Sequence, residues 1–208
     1  MKTRWSRAFG TAAMLTAAAL AGCSLGPQQR EPVESYDLGP PRGQASAKPA
    51  MPAILLLPEI SAPAWLDGQG IIYRLSYENS ARPQAYAGSR WVAPPAAMLT
   101  QRLRGRFAGA AGGVLTNADG ARADYALRIE LEDFSQSFTA SNSSRVGLRA
   151  RTSLIKLADR TLVAQHVFSV ERAAATPDAR GAVAALGEAS DEFVEQLLTW
   201  TGEQTHKK

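Results

Sequence analysis

The chain has 208 residues and carries 23 Lys and Arg against 19 Asp and Glu, a formal charge of +4. Three of those bases, Lys2, Arg4 and Arg7, lie in a removable leader that holds no acid, so the basic count falls to 20 and the mature charge to about +1. That balance takes away the main support for nucleic-acid binding, and a single cysteine excludes a disulfide within one chain.

The leader comes first. Behind its positive end, Ala8 to Ala21 is apolar or small apart from Thr11 and Thr16. A permanent membrane span needs about 20 apolar residues, so this shorter run reads as the core of a signal peptide, residues 1–22. It closes on Leu20-Ala21-Gly22-Cys23, the small-residue run before cysteine of a bacterial lipobox. The alternative, an ordinary secretory signal with a chance cysteine, requires the chain's one thiol to fall by accident at the lipidation position. Cys23 is therefore expected to accept a diacylglycerol on sulfur and, after cleavage, an acyl chain such as palmitate on its new amine. Each buried methylene contributes about 0.8 kcal/mol, so two or three chains anchor durably. Ser24 stands where an Asp would favour inner-membrane retention, which points to the outer membrane, with the protein facing the periplasm.

Residues 23–52 carry Pro27, Pro32, Pro40, Pro41, Pro49 and Pro52 among Gly, Gln, Ala and Ser, and read as an extended tether reaching about 3.1 Å per residue. Tyr36-Asp37-Leu38-Gly39 interrupts it as either a local turn or an edge segment packed on the domain. Ala53–Leu57 reads as a buried strand closed by Pro58, Asp67-Gly68 as a turn, Gly70–Ser76 as a second strand, Asn79–Pro83 as a turn, and Tyr86–Trp91 as the end of a hairpin. Pro94-Pro95 opens a helix, with Met98, Leu99, Leu103 and Phe107 at helical spacing and Gly112-Gly113 as its stop.

From Tyr125 the chain alternates. Leu127, Ile129 and Leu131 oppose Arg128, Glu130 and Glu132, and the phase shifts before Phe134, which predicts a bulge near Asp133. Val146, Leu148, Ala150, Thr152 and Leu154 oppose Arg145, Arg149 and Arg151; Leu162–Val170 is the partner strand, and short connections make the three an antiparallel meander. A last helix runs from about Ala179 to Thr201 on a stripe of Leu186, Ala189, Phe193, Leu197 and Trp200, ended by Gly202 and followed by a frayed tail, residues 203–208. The expected fold is α+β: residues 53–202 form a mostly antiparallel sheet of about five to six strands with two helices packed on one face.

Catalytic chemistry is hard to find. There are two histidines, His166 within a strand and His206 in the tail, and no His/Cys cluster, nucleophile elbow or phosphate loop. Glu130 and Glu132 read as a solvated face, as do Arg145, Arg149 and Arg151. Arg74, inside an apolar strand, either faces water on alternate register or reaches a buried partner. The expectation is no enzyme, no cofactor and no metal.

Five blocks together resemble the ABC-type transport auxiliary lipoprotein family of the PqiC-like membrane-integrity lipoproteins. They are Tyr36-Asp37-Leu38-Gly39, Leu66-Asp67-Gly68-Gln69-Gly70-Ile71-Ile72-Tyr73-Arg74, Arg90-Trp91-Val92-Ala93-Pro94-Pro95, Leu131-Glu132-Asp133-Phe134, and a final helix ending near Trp200. The likeness spans roughly residues 33–201. It implies a non-catalytic subunit of a system with an ABC permease, an ATPase and an MCE-domain protein, which moves phospholipid or other hydrophobic molecules between membranes. A homo-oligomer would suit a part that caps a tubular partner. The resemblance makes Tyr36, Asp37, Leu38, Gly39, Tyr73, Arg74, Trp91, Pro94 and Pro95 structural or docking positions without separating the two roles. The competing class is a lipoprotein that activates a cell-wall synthase or assembles an outer-membrane complex.

Overall fold

A computed structural model describes residues 32–42 and 51–206. Cys23, the leader and most of the expected tether lie outside the described residues. In chain order the elements are β1 (Glu34–Tyr36), β2 (Ile54–Leu56), a 3-10 turn (Ala64–Leu66), β3 (Gly70–Leu75), α1 (Ser76–Asn79) and β4 (Gln84–Trp91). Then follow α2 (Pro95–Ala108), β5 (Gly113–Leu115), β6 (Tyr125–Ala140), β7 (Ser143–Lys156), β8 (Thr161–Ala173) and α3 (Ala179–His206).

The α+β class holds, but the sheet is mixed and not mostly antiparallel, with eight strands among the described residues. β3–β4, β6–β7 and β7–β8 pair antiparallel, as short connections require. β1–β4, β2–β5, β2–β6 and β3–β6 are parallel. These partners are distant in sequence, and the chain between them contains α2 or a further strand that returns it in the original direction. Local alternation reveals strands but not such pairings. β1 and β5, three residues each, are too short to show a period, which explains the low expected strand number.

β6 organises the sheet. One edge pairs with β7 along its whole length. Along the other edge β2 lies beside its start, at Leu55 and Tyr125, and β3 beside its end, at Leu75 and Phe138. Between them Ser61 bridges to Glu130, its N–H donating to Ile129 O at 3.1 Å and its carbonyl accepting from Leu131 N at 2.8 Å. β2 and β3 are thus two parts of one interrupted strand, separated by Pro58 and Pro63. The expected bulge is present: the β6–β7 register shifts between Leu131 and Asp133, so the buried set moves from Leu127, Ile129 and Leu131 to Phe134, Gln136 and Phe138. The meander and the buried face of β7, Val146 through Leu154, are also as expected.

Helix α2 starts at the proline pair. Pro94 is the extended residue before the helix, its carbonyl accepting from Ala97 N and Met98 N, and Pro95 occupies the first turn. The helix stops at Gly109, ahead of the expected Gly112-Gly113, because Gly113 is already in β5. α3 runs through Gly202 to His206, so residues 203–206 are helical and not a frayed tail. Gly202 is buried beside Met51, and a β-carbon there would make an ordinary contact with the Met51 side chain at 3.8 Å. The core lies between the sheet and these helices, where Leu99, Leu103 and Phe107 meet Leu186, Phe193 and Leu197 over Leu127, Phe134 and Leu148.

Candidate functional site

The Tyr36-Asp37-Leu38-Gly39 block is an edge segment. β1 adds to β4 in parallel, Tyr36 opposite Trp91, and Val92 N donates to Tyr36 O at 2.8 Å. The chain then turns across the helices. Asp37 caps the turn, its Oδ1 accepting from Gly39 N at 2.8 Å, and Gly39 holds a φ of +69°, a left-handed conformation that favours glycine. Leu38 is buried in the core. The packed unit therefore begins at Val33, inside the stretch expected to be tether, rather than at Ala53.

Arg102 of α2 fastens this segment. Its side chain is 6% exposed; Nη1 bonds to Asp191 of α3, and Nη2 donates to Leu38 O at 2.8 Å and to Gly39 O. The pairing satisfies a buried charge with one carboxylate and two carbonyls, which burial demands. Opposite it, Gly187 of α3 brings its backbone so close that a β-carbon there would sit 2.8 Å from Leu38 O. Arg42 extends the latch, its guanidinium bonded to Glu188 and its N–H donating to Asp191 Oδ2 at 3.2 Å. None of Arg102, Gly187 and Asp191 was legible in the sequence: an arginine and an aspartate on helices look solvated until the helices are packed.

Beside the latch lies a groove of about 840 Å³ between residues 37–42, α2 and α3. Leu38, Val92, Ala97, Met98, Gly105 and Val194 line it, with Arg42, Arg102 and Arg106 on its polar side. Arg106 binds both carboxylate oxygens of Glu195, so two ion pairs join α2 to α3 along the groove.

The remaining motif residues separate into two groups. Trp91 is fully buried, its ring 5.8 Å from Phe134, and its backbone N–H donates to Gln69 O at 2.7 Å. With Pro94 and Pro95 it sets the entry to α2. Tyr73 packs against Tyr86 at 4.7 Å and Phe138 at 5.9 Å. Tyr86 donates to Gln136 Oε1 at 2.7 Å, Gln136 donates to Ser144, and burial pushes the Tyr86 hydroxyl up to about 12. These are supports of the fold. Arg74 is half-buried and finds partners at the surface, resting 4.9 Å over the Trp65 ring and donating to Ser80 O at 3.2 Å. Near it Asp133 is half-buried; burial raises its carboxyl above the ordinary value, while a hydrogen bond from Ser135 at 2.8 Å and the Arg74 charge pull the other way.

Arg145, Arg149 and Arg151 each meet a carboxylate across the sheet: Glu171, Glu132, and both Glu130 and Glu132. His166 lies exposed beside Phe168 and Trp200. Among the described residues no group of three or more His, Cys, Asp or Glu is placed to hold a metal, and no helix is long and apolar enough to cross a membrane.

No curated protein matches the sequence significantly. The fold is similar to that of a DUF330 protein from Xanthomonas campestris, with a TM-score of 0.72 at 22% identity, covering 83% of this chain and 96% of that one. A second crystal structure, of an uncharacterised protein, gives a TM-score of 0.62 at 15% identity, covering 82% of this chain and 99% of that one. The model of the ABC-type transport auxiliary lipoprotein component matches residues 36–197, from the tyrosine of β1 to the last third of α3. The chain belongs to the ABC-type transport auxiliary lipoprotein family.

Proposed function

We propose that this chain is a periplasm-facing lipoprotein held in the outer membrane by acyl groups on Cys23. In this reading it serves, without catalysis of its own, an ABC/MCE-type system that moves phospholipid or other hydrophobic molecules between membranes. The family match over residues 36–197 carries this reading, because it names an auxiliary component of ABC-type transport. Leu20-Ala21-Gly22-Cys23 supports the anchor, and Ser24 the choice of membrane. The partners are an MCE-domain protein and an ABC permease with its ATPase; several copies of the chain would suit a tubular partner.

The test is capture from solubilised membranes of the full-length protein expressed at its native level. Recovery of an MCE protein, a permease and an ATPase is expected, together with palmitate labelling that Cys23→Ser abolishes and sedimentation with the outer membrane. Recovery of a peptidoglycan synthase without any transport component would overturn the reading in favour of a cell-wall activator.

A further inference from the structure

The docking of residues 34–42 has a consequence for where the domain stands. If Cys23 carries the anchor, only residues 24–33 separate the lipid from β1. Whatever their conformation, ten residues span at most about 36 Å. The groove of about 840 Å³ begins four residues further on, at Asp37. With the anchor at Cys23, that lead bounds how far from the bilayer the groove can lie.

The groove's chemistry suits an acyl chain. Its volume is that of a small-molecule site, about 300–1,000 Å³, and such sites are mostly apolar with a few placed polar groups. Two walls are the helices α2 and α3, whose backbone polar groups bond within the helix. They leave an extended peptide few partners, whereas a hydrocarbon chain needs none. Pro41, Val92, Ala93 and Ala97 supply exposed or half-buried apolar surface, over a buried floor of Leu38, Met98 and Val194. At one end Arg42 is 60% exposed and spends Nη1 on Glu188, while a guanidinium carries five donors, enough to reach a phosphate or ester oxygen as well.

We propose that the groove between residues 37–42, α2 and α3 takes one acyl chain of a phospholipid drawn from the membrane that carries the anchor, with the headgroup toward Arg42. The proposal rests on the lipid-anchor part of the proposed function. The protein would then touch cargo-like lipid directly.

Gly105 offers a clean test. It lines the groove, and a β-carbon there would meet nothing within 4 Å, so Gly105→Leu fills the groove and improves the helix it stands in. Gly88 in β4, also exposed with open space, gives a control, Gly88→Leu. The full-length mature protein, purified from the membranes of cells that express it, is reconstituted into vesicles of phosphatidylethanolamine with phosphatidylglycerol as the minor lipid. A phosphatidylethanolamine carrying a diazirine near the end of one acyl chain is the probe. On illumination the wild type and Gly88→Leu are expected to form adducts on the peptides holding Met98 and Val194, and Gly105→Leu about tenfold fewer. Equal labelling of Gly105→Leu, or adducts scattered over the surface, overturns the proposal; so does an adduct-free groove occupied by a co-purifying peptide. Flotation of the same vesicles reports the anchor separately. If the protein fails to float, the anchor reading is wrong, and labelling by the same probe in detergent micelles then decides the groove alone.

Discussion

Arginines of similar appearance in the sequence carry different energetic weight. Arg102 is nearly buried and serves three acceptors, so Arg102→Ala leaves Asp191 and two carbonyls unpaired. It is expected to lower stability by about 3–5 kcal/mol in urea unfolding, the cost of breaking a buried pair. Arg149 is 54% exposed in its pair with Glu132, and Arg149→Ala is expected to cost under about 1 kcal/mol. Comparable losses at both positions would refute the latch. Asp133 offers a pH signature. Burial holds its carboxyl above the ordinary value, so the folded chain binds this proton more tightly than the unfolded chain. Stability then falls as pH rises from the ordinary carboxylate range through the folded value, and the deficit persists at neutral pH. Asp133→Asn, which keeps an acceptor for Ser135, is expected to melt higher than wild type at neutral pH and to lose that advantage in acid. A difference in Tm independent of pH would show that ionisation is not the cause.

At the scale of elements, the segment from Glu34 to Arg42 is the informative piece. β1 has only three residues of pairing, and its hold on the domain comes from Leu38, Arg102 and the close approach at Gly187. Gly187→Ala drives a methyl group against Leu38 O and is expected to cost about 1–3 kcal/mol, as overpacking does. Because the strain falls on the segment, limited proteolysis should open a new cut within residues 33–42 before the core is digested; cleavage first in the β6–β8 meander would place the strain elsewhere. The sequence marked this block through a family resemblance and left a turn and an edge segment equally open. The block is only four residues long, too short to show a period that would distinguish them, and the deciding interactions come from helices 60 to 150 positions away. β6 and β7 were legible because each is long enough for alternation to report a buried face, including the phase slip at the bulge.

For the whole molecule, the boundary of the folded unit sets the reach of the domain. A soluble fragment beginning at Val33 is expected to unfold at the same urea concentration as the full mature chain. A fragment beginning at Ala53 loses β1, the burial of Leu38 and two acceptors of Arg102, and is expected to be less stable by about 3–5 kcal/mol. Equal midpoints for the two fragments would restore the long tether. That boundary decides whether the segment from Val33 to Arg42 counts with the domain or with the chain before it.

The sequence by itself determined the family, the long alternating strands and the amphipathic helices, and it alone supports the leader and the lipidation proposed at Cys23. Each of these is written in a local pattern: a charged end before an apolar run, a period of two, or a period near four. Tertiary structure alone decided the parallel pairings about β6, the docking of Tyr36–Gly39, the burial of Arg102 with Asp191, and the groove beside them. Those features depend on which distant surfaces meet, and burial changes what a charge or a glycine means only once a neighbour has removed the water.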